Sequence, residues 1–179
     1  SKEESHDYRY FPEPDLPPLR IDFGMVREFE SALPELPHDK RKRFKDQYGL
    51  SGNQIDILVN DRKLAAFFEN VISEFMQWEK ENIKPHSEKE RQELINLAAN
   101  YLLGDLLGLL NEASAEIDDI RIDEENFAEW IGLIHRSVIT SKAAKEVLKE
   151  MWGSGRDPSL IIKEKDLVQV EDAGELEKA

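Results

Sequence analysis

Cysteine is absent from this 179-residue sequence. That removes disulfide frameworks, thiolate zinc sites and a cysteine nucleophile, and it fits a reducing compartment without proving one. Histidine is scarce as well: His6, His38, His86 and His135 are the full set. None has a second histidine or a carboxylate at ligand spacing on a helix face, apart from Glu3 and Asp7 loosely placed around His6, so no metal site is expected. A glycine-rich phosphate loop is missing, and so is a nucleophile elbow. No stretch alternates apolar and polar residues long enough to commit to a strand. There is no signal peptide and no apolar run long enough to span a bilayer.

Positive charge is also short. Against 38 acidic residues stand 24 lysines and arginines, for a formal net charge of -14 and a pI near 4.8. Taken alone, that argues against a general nucleic-acid binder, because affinity for a polyanion comes largely from neutralised phosphates. It leaves open a local basic face on an acidic body. What the chain does have is core material, 40% hydrophobic residues with three Trp and eight Phe, enough for one or two packed domains.

The chain is organised around Ser87 to Glu112, SEKERQELINLAANYLLGDLLGLLNE. Ser87 and Glu90 form a capping box, in which each side chain satisfies an orphan backbone donor at a helix start. Ile95, Ala98, Ala99, Leu102, Leu103, Leu106, Leu109 and Leu110 then recur at helical spacing. Leu94, Leu97, Tyr101 and Leu107 widen the apolar face, so a core helix buried on most sides is expected. Gly104 and Gly108 each cost roughly 1 kcal/mol against alanine, for which close approach of another helix is the expected gain. Glu90, Arg91, Glu93 and Asp105 on the same helix argue for a soluble setting.

Before it, residues 1–22 have prolines at 12, 14, 17 and 18 and read as an extended arm, with at most a short strand at Leu19 to Asp22. Helices are expected at Gly24 to Leu33, from Pro37 to Tyr48 with a stop at Gly49, after Ser51, and from Asn60 and Asp61 to about Asn82. After it, Asp123 caps a helix with Phe127, Trp130, Ile131 and Ile134 on one face. Thr140 or Ser141 caps the next, with Ala144, Val147, Leu148, Met151 and Trp152 as its apolar set. Gly153 and Gly155 end it, and Asp157-Pro158 begins a final short helix. The expected fold is all-α, a bundle of about eight helices behind an extended proline-rich arm.

Three groups of polar residues are candidates for chemistry. In the arm, Asp7, Tyr8, Arg9 and Tyr10 place a carboxylate, a guanidinium and two phenols close together. They could position a substrate or form the salt-bridged edge of a sheet. Lys40, Arg41, Lys42 and Arg43 crowd one short helix near its start, where cations oppose the macrodipole at a few tenths of a kcal/mol each. That placement hints at a use, and a solvated face reads the same way. Lys142, Lys145, Lys149 and Arg156 stack into one stripe opposite an apolar face, with Arg136 close in sequence. Such a stripe is either a docking face for a phosphate backbone or an ordinary solvent-facing side.

The segments SKEESHDYRYFPEPDLPPL, SALPELPHDKRKRF, NYLLGDLLGLLNE and ITSKAAKEVLKEMW, in that order, resemble the B subunit of the bacterial and organellar aspartyl/glutamyl-tRNA amidotransferases. Tyr101 departs from the tryptophan usual in that family. The resemblance implies a component of a glutamine-dependent ligase. That enzyme phosphorylates the side chain of misacylated aspartyl-tRNA(Asn) or glutamyl-tRNA(Gln) with ATP and then amidates it. It also implies the A and C subunits of the amidotransferase and tRNA(Asn) or tRNA(Gln) as partners, no membrane, and a cytoplasmic or organellar-matrix location. On this reading residues 1–33 are the end of the cradle that holds the activation site, with Asp7, Tyr8, Arg9 and Tyr10 supporting the pocket. Residues 34–170 are a helical domain that helps grip tRNA, and 171–179 lead toward a tail domain. The dense motif at Ser1 reads as a cut through a larger protein. No cofactor is expected on this portion, which alone is expected to be inactive; ATP and magnesium belong to the full enzyme.

Overall fold

Side-chain caps decide where the helices begin. A computed structural model describes residues 22–33, 35–81 and 87–168, and all regular structure among them is helical. In chain order the helices are α1 (Phe23–Ala32), α2 (Pro37–Tyr48), α3 (Gly52–Asn60), α4 (Arg62–Glu81), α5 (Glu88–Ala113), α6 (Glu124–His135), α7 (Ser141–Ser154) and α8 (Pro158–Glu164). The carboxylate of Asp123 accepts from the Asn126 amide at 2.7 Å, and Asp157 accepts from Leu160 at 2.9 Å. Thr140, rather than Ser141, caps α7. The expected box at Ser87 closes, its amide donating to Glu90 at 2.7 Å, and a second forms at Ser51, whose amide donates to Gln54 at 2.9 Å. Asp22, read as the end of a short strand, is instead the N-cap of α1; the rest of that strand lies outside the described residues.

The chain divides into two compact units between Glu35 and Leu36. In the first, α1 is an amphipathic helix whose apolar stripe is Phe23, Val26, Phe29 and Leu33.

In the second unit, α4 packs along α6, α5 packs on both, α2 and α3 close one end, and α8 joins α6 to α7. Two aromatic clusters mark the joints. Phe44, Tyr48 and Phe68 tie α2 to α4, with Tyr48 edge-on to Phe68 at 5.5 Å. Phe67, Phe127, Trp130 and Tyr101 tie α4, α6 and α5 together. Phe44, Phe68, Phe127 and Trp130 are fully buried, and burying a side chain of this size is worth roughly 1.5–3 kcal/mol.

Against the expectation that no apolar run is long enough to span a bilayer, the 26 residues of α5 are long and apolar enough by length and composition. In this fold they form a core helix: Leu94, Ile95, Ala98, Ala99, Leu102, Leu106 and Leu110 are buried among the other helices. The expectation of burial on most sides is only partly met, since Leu97, Leu103, Leu107 and Leu109 are half-buried and Gly104 is exposed. Leu102–Leu106 is a π turn, a widened loop of helix that the sequence reading did not anticipate. The glycines also behave differently from expectation. A Cβ at Gly104 or Gly108 would meet nothing within 4 Å, so no helix of the described fold approaches them.

Candidate nucleic-acid interface

The α7 stripe exists because the opposite face is fully committed to the core. Ala143, Ala144, Val147, Leu148 and Met151 are buried, which turns Lys142, Lys145 and Lys149 to solvent. The helix ends at Gly155, whose φ is +68°. A Cβ there would lie 2.9 Å from the Arg121 carbonyl oxygen, so both the backbone angle and the close approach require glycine. Arg121 in turn donates to the Gly153 carbonyl at 3.0 Å, fixing the same corner.

Arg156 does not join the expected stripe, because the helix ends at Ser154 and the left-handed Gly155 turns the chain before it; the four expected cations divide into two pairs. Lys145 reaches the π turn of α5, 2.7 Å from Asp105, and that carboxylate raises the ammonium's pKa by hydrogen bond and charge. Arg156 lies 2.6 Å from Glu164; the pair lifts the arginine and lowers the glutamate. Lys142 and Lys149 are exposed and have no ion pair or hydrogen bond among the described residues. They sit two turns apart, roughly 10 Å along the axis. Arg136 is exposed and its Nε donates to its own helix at the Gly132 carbonyl.

On α2 the arrangement is different. Arg41 pairs with Asp56 of α3 at 3.1 Å. Arg43 pairs with Glu69 of α4 while its guanidinium lies 5.0 Å from the centre of the Phe44 ring. The Lys40 ammonium is 5.3 Å from the same ring. Of the α2 candidates, Lys42 points to solvent with no partner among the described residues. Tyr48 completes the group: burial raises its phenol, and the neighbouring Glu69 adds to that. The arm candidates Asp7, Tyr8, Arg9 and Tyr10 lie outside the described residues.

The acidic partners were not read from sequence. Asp105 stands forty residues from Lys145, and nothing local marks them as neighbours. Lys165 was missed for the same reason; it approaches Glu150 at 3.2 Å and Glu146 at 3.4 Å on α7. Among the described residues no group of three or more His, Cys, Asp or Glu could hold a metal ion.

A helical unit is the class of fold that the family comparison then specifies. The family model described as "GatB domain" matches residues 86–179, more than half of the chain, and "GatB/GatE catalytic domain" matches residues 1–27. The chain belongs to the GatB domain family. Similar relatives are named as the B subunit of aspartyl/glutamyl-tRNA(Asn/Gln) amidotransferase. One from Carboxydothermus hydrogenoformans is 43% identical over 177 residues, 99% of this chain and 33% of the relative. One from Gluconobacter oxydans is 40% identical over 179 residues, 100% of this chain and 33% of the relative. One from Clostridium beijerinckii is 38% identical over 178 residues, 99% of this chain and 34% of the relative. The chain thus spans about a third of the length of the curated relatives it matches.

Proposed function

We propose that this chain serves in the B subunit of an aspartyl/glutamyl-tRNA amidotransferase, and that the outer face of α7 docks the tRNA backbone. The reaction so assisted is the ATP-dependent conversion of misacylated tRNA(Asn) or tRNA(Gln) to its amide form, with the A and C subunits as partners in the cytoplasm or an organellar matrix. ATP and magnesium are held by the catalytic domain rather than by the helical unit, and these 179 residues alone are inactive. Residues 1–33 belong with that catalytic domain, 34–170 form the tRNA-gripping unit, and 171–179 lead onward. Asp7, Tyr8, Arg9 and Tyr10 support the activation pocket.

One observation carries the RNA reading: Lys142 and Lys149 share an exposed face of α7, and among the described residues neither has an ion pair. An ammonium in that state gains from a phosphate and releases its counterions. Lys145 and Arg156 are already paired with acids of the same chain, Lys145 on the α7 face and Arg156 beyond its C-terminal glycine. Lys42 is the α2 residue best suited to add a contact, while Arg41 and Arg43 tie α2 to α3 and α4 and Lys40 lies against Phe44 of its own helix.

The test is filter binding of tRNA to the whole complex over a salt series. Lys142→Glu with Lys149→Glu is expected to weaken binding about tenfold or more and to reduce the salt slope by about 2. A second reading, a helical spacer without RNA contact, draws on the pairing of so many cations with acids of the same chain. It expects unchanged affinity and slope in that titration, which would remove the α7 claim.

A further inference from the structure

Exposed apolar surface is concentrated on α1. Phe23 is 87% exposed, Val26 38%, Phe29 65% and Leu33 69%; outside this unit the exposed large hydrophobics are the scattered Leu36, Leu160 and Val168. At 100° per residue Phe23, Val26 and Phe29 fall within an arc of about 120°, the width of a helix face that normally meets a core, and Leu33 follows as the C-cap. A contiguous apolar face left to solvent marks a surface made for contact. Four side chains on a ten-residue helix offer well under the ~800 Å² per partner of a stable dimer, so a second copy is a poor occupant. The catalytic-domain family model runs through residue 27 and so takes in the first half of this helix. Relatives of the chain are about three times its length.

We propose that the Phe23, Val26, Phe29 and Leu33 face of α1 docks on the body of the GatB/GatE catalytic domain. The helix is then a shared element, begun inside one family domain and continued past its boundary, with its apolar face providing the seat. This rests on the family membership and is independent of tRNA docking on α7.

Hydrogen exchange read by mass spectrometry tests it. The 179-residue chain is compared with a version of the relatives' full length that carries the catalytic domain. Amides of residues 26–32 are expected to exchange about 100-fold slower in the long version. Phe29→Asp with Leu33→Asp in the long version returns them to fast exchange while α4 to α6 stay protected, which separates undocking from unfolding. Equal exchange of α1 in the two versions overturns the proposal, as does protection unaffected by the double substitution. Protection in the short chain that rises with protein concentration also overturns it, by making a second copy the occupant.

Discussion

Helices α2 and α7 are both basic, both amphipathic and both closed by a left-handed glycine, yet their cations do different things. On α2, Arg41 and Arg43 reach carboxylates of α3 and α4, and Lys40 and Arg43 lie over Phe44. On α7, Lys142 and Lys149 reach nothing among the described residues. Local density of positive charge is therefore a poor guide to docking, since two of the four candidate cations in each group are already paired with carboxylates. What decides is whether the facing elements carry acids within reach. Asp56 and Glu69 sit opposite α2, whereas α7 has Asp105 opposite only its middle lysine.

The two helices differ most sharply at their ends. At Gly155 the obstacle to a Cβ is a backbone carbonyl that cannot swing away; at Gly49 it is the Gln92 side-chain amide, 2.9 Å off and able to rotate. Both alanine variants carry the left-handed penalty of ~1–2 kcal/mol. Gly155→Ala is expected to cost about 2–4 kcal/mol in urea unfolding and Gly49→Ala about 1–2. Equal costs would mean that the carbonyl yields as easily as the amide.

A smaller effect separates the cations themselves. Arg43 is about two-thirds buried against Glu69 and Phe44, so Arg43→Ala is expected to lose about 1–2 kcal/mol, partly through lost packing of its stem. Lys142→Ala and Lys149→Ala should each change stability by less than about 0.5 kcal/mol. Thermal unfolding at matched ionic strength measures both. A Lys149→Ala loss as large as that of Arg43→Ala would show a structural partner for α7 and weaken its assignment to RNA.

One further expected effect has the opposite sign. Gly104→Ala and Gly108→Ala place a methyl in open space on α5, and each should stabilise the chain by up to about 1 kcal/mol in the same unfolding measurement.

What the sequence made legible follows from range. Caps are local, so Ser51, Ser87, Asp123 and Asp157 could be read as helix starts, and Gly49 and Gly155 as stops, from a few residues each. Apolar spacing then identified Leu102, Leu106, Phe127 and Trp130 as core. The cationic stripe could be read for the same reason, being a property of one helix. Which of its members are neutralised could not, because Lys145 and Asp105 meet only through packing. Gly104 and Gly108 misled because spacing alone cannot reveal whether a neighbour is present. The π turn escaped because an extra residue in a helical loop leaves the composition around it unchanged.

That turn bears on how the protein tolerates changes of length. It inserts its extra residue midway along α5, so Leu94 to Ala99 before it and Leu106 and Leu110 after it can all reach the interior. Deleting one residue between Leu102 and Leu106 would leave an ordinary helix that loses no hydrogen bond. Its two halves would keep nearly the same facing, because removing the one residue that the π turn absorbs leaves Leu106 and Leu110 in ordinary helical phase with Leu94 to Leu102. Shortening by a single position is thus absorbed at this point, whereas the same deletion in the regular helix on either side would turn everything beyond it by about 100°.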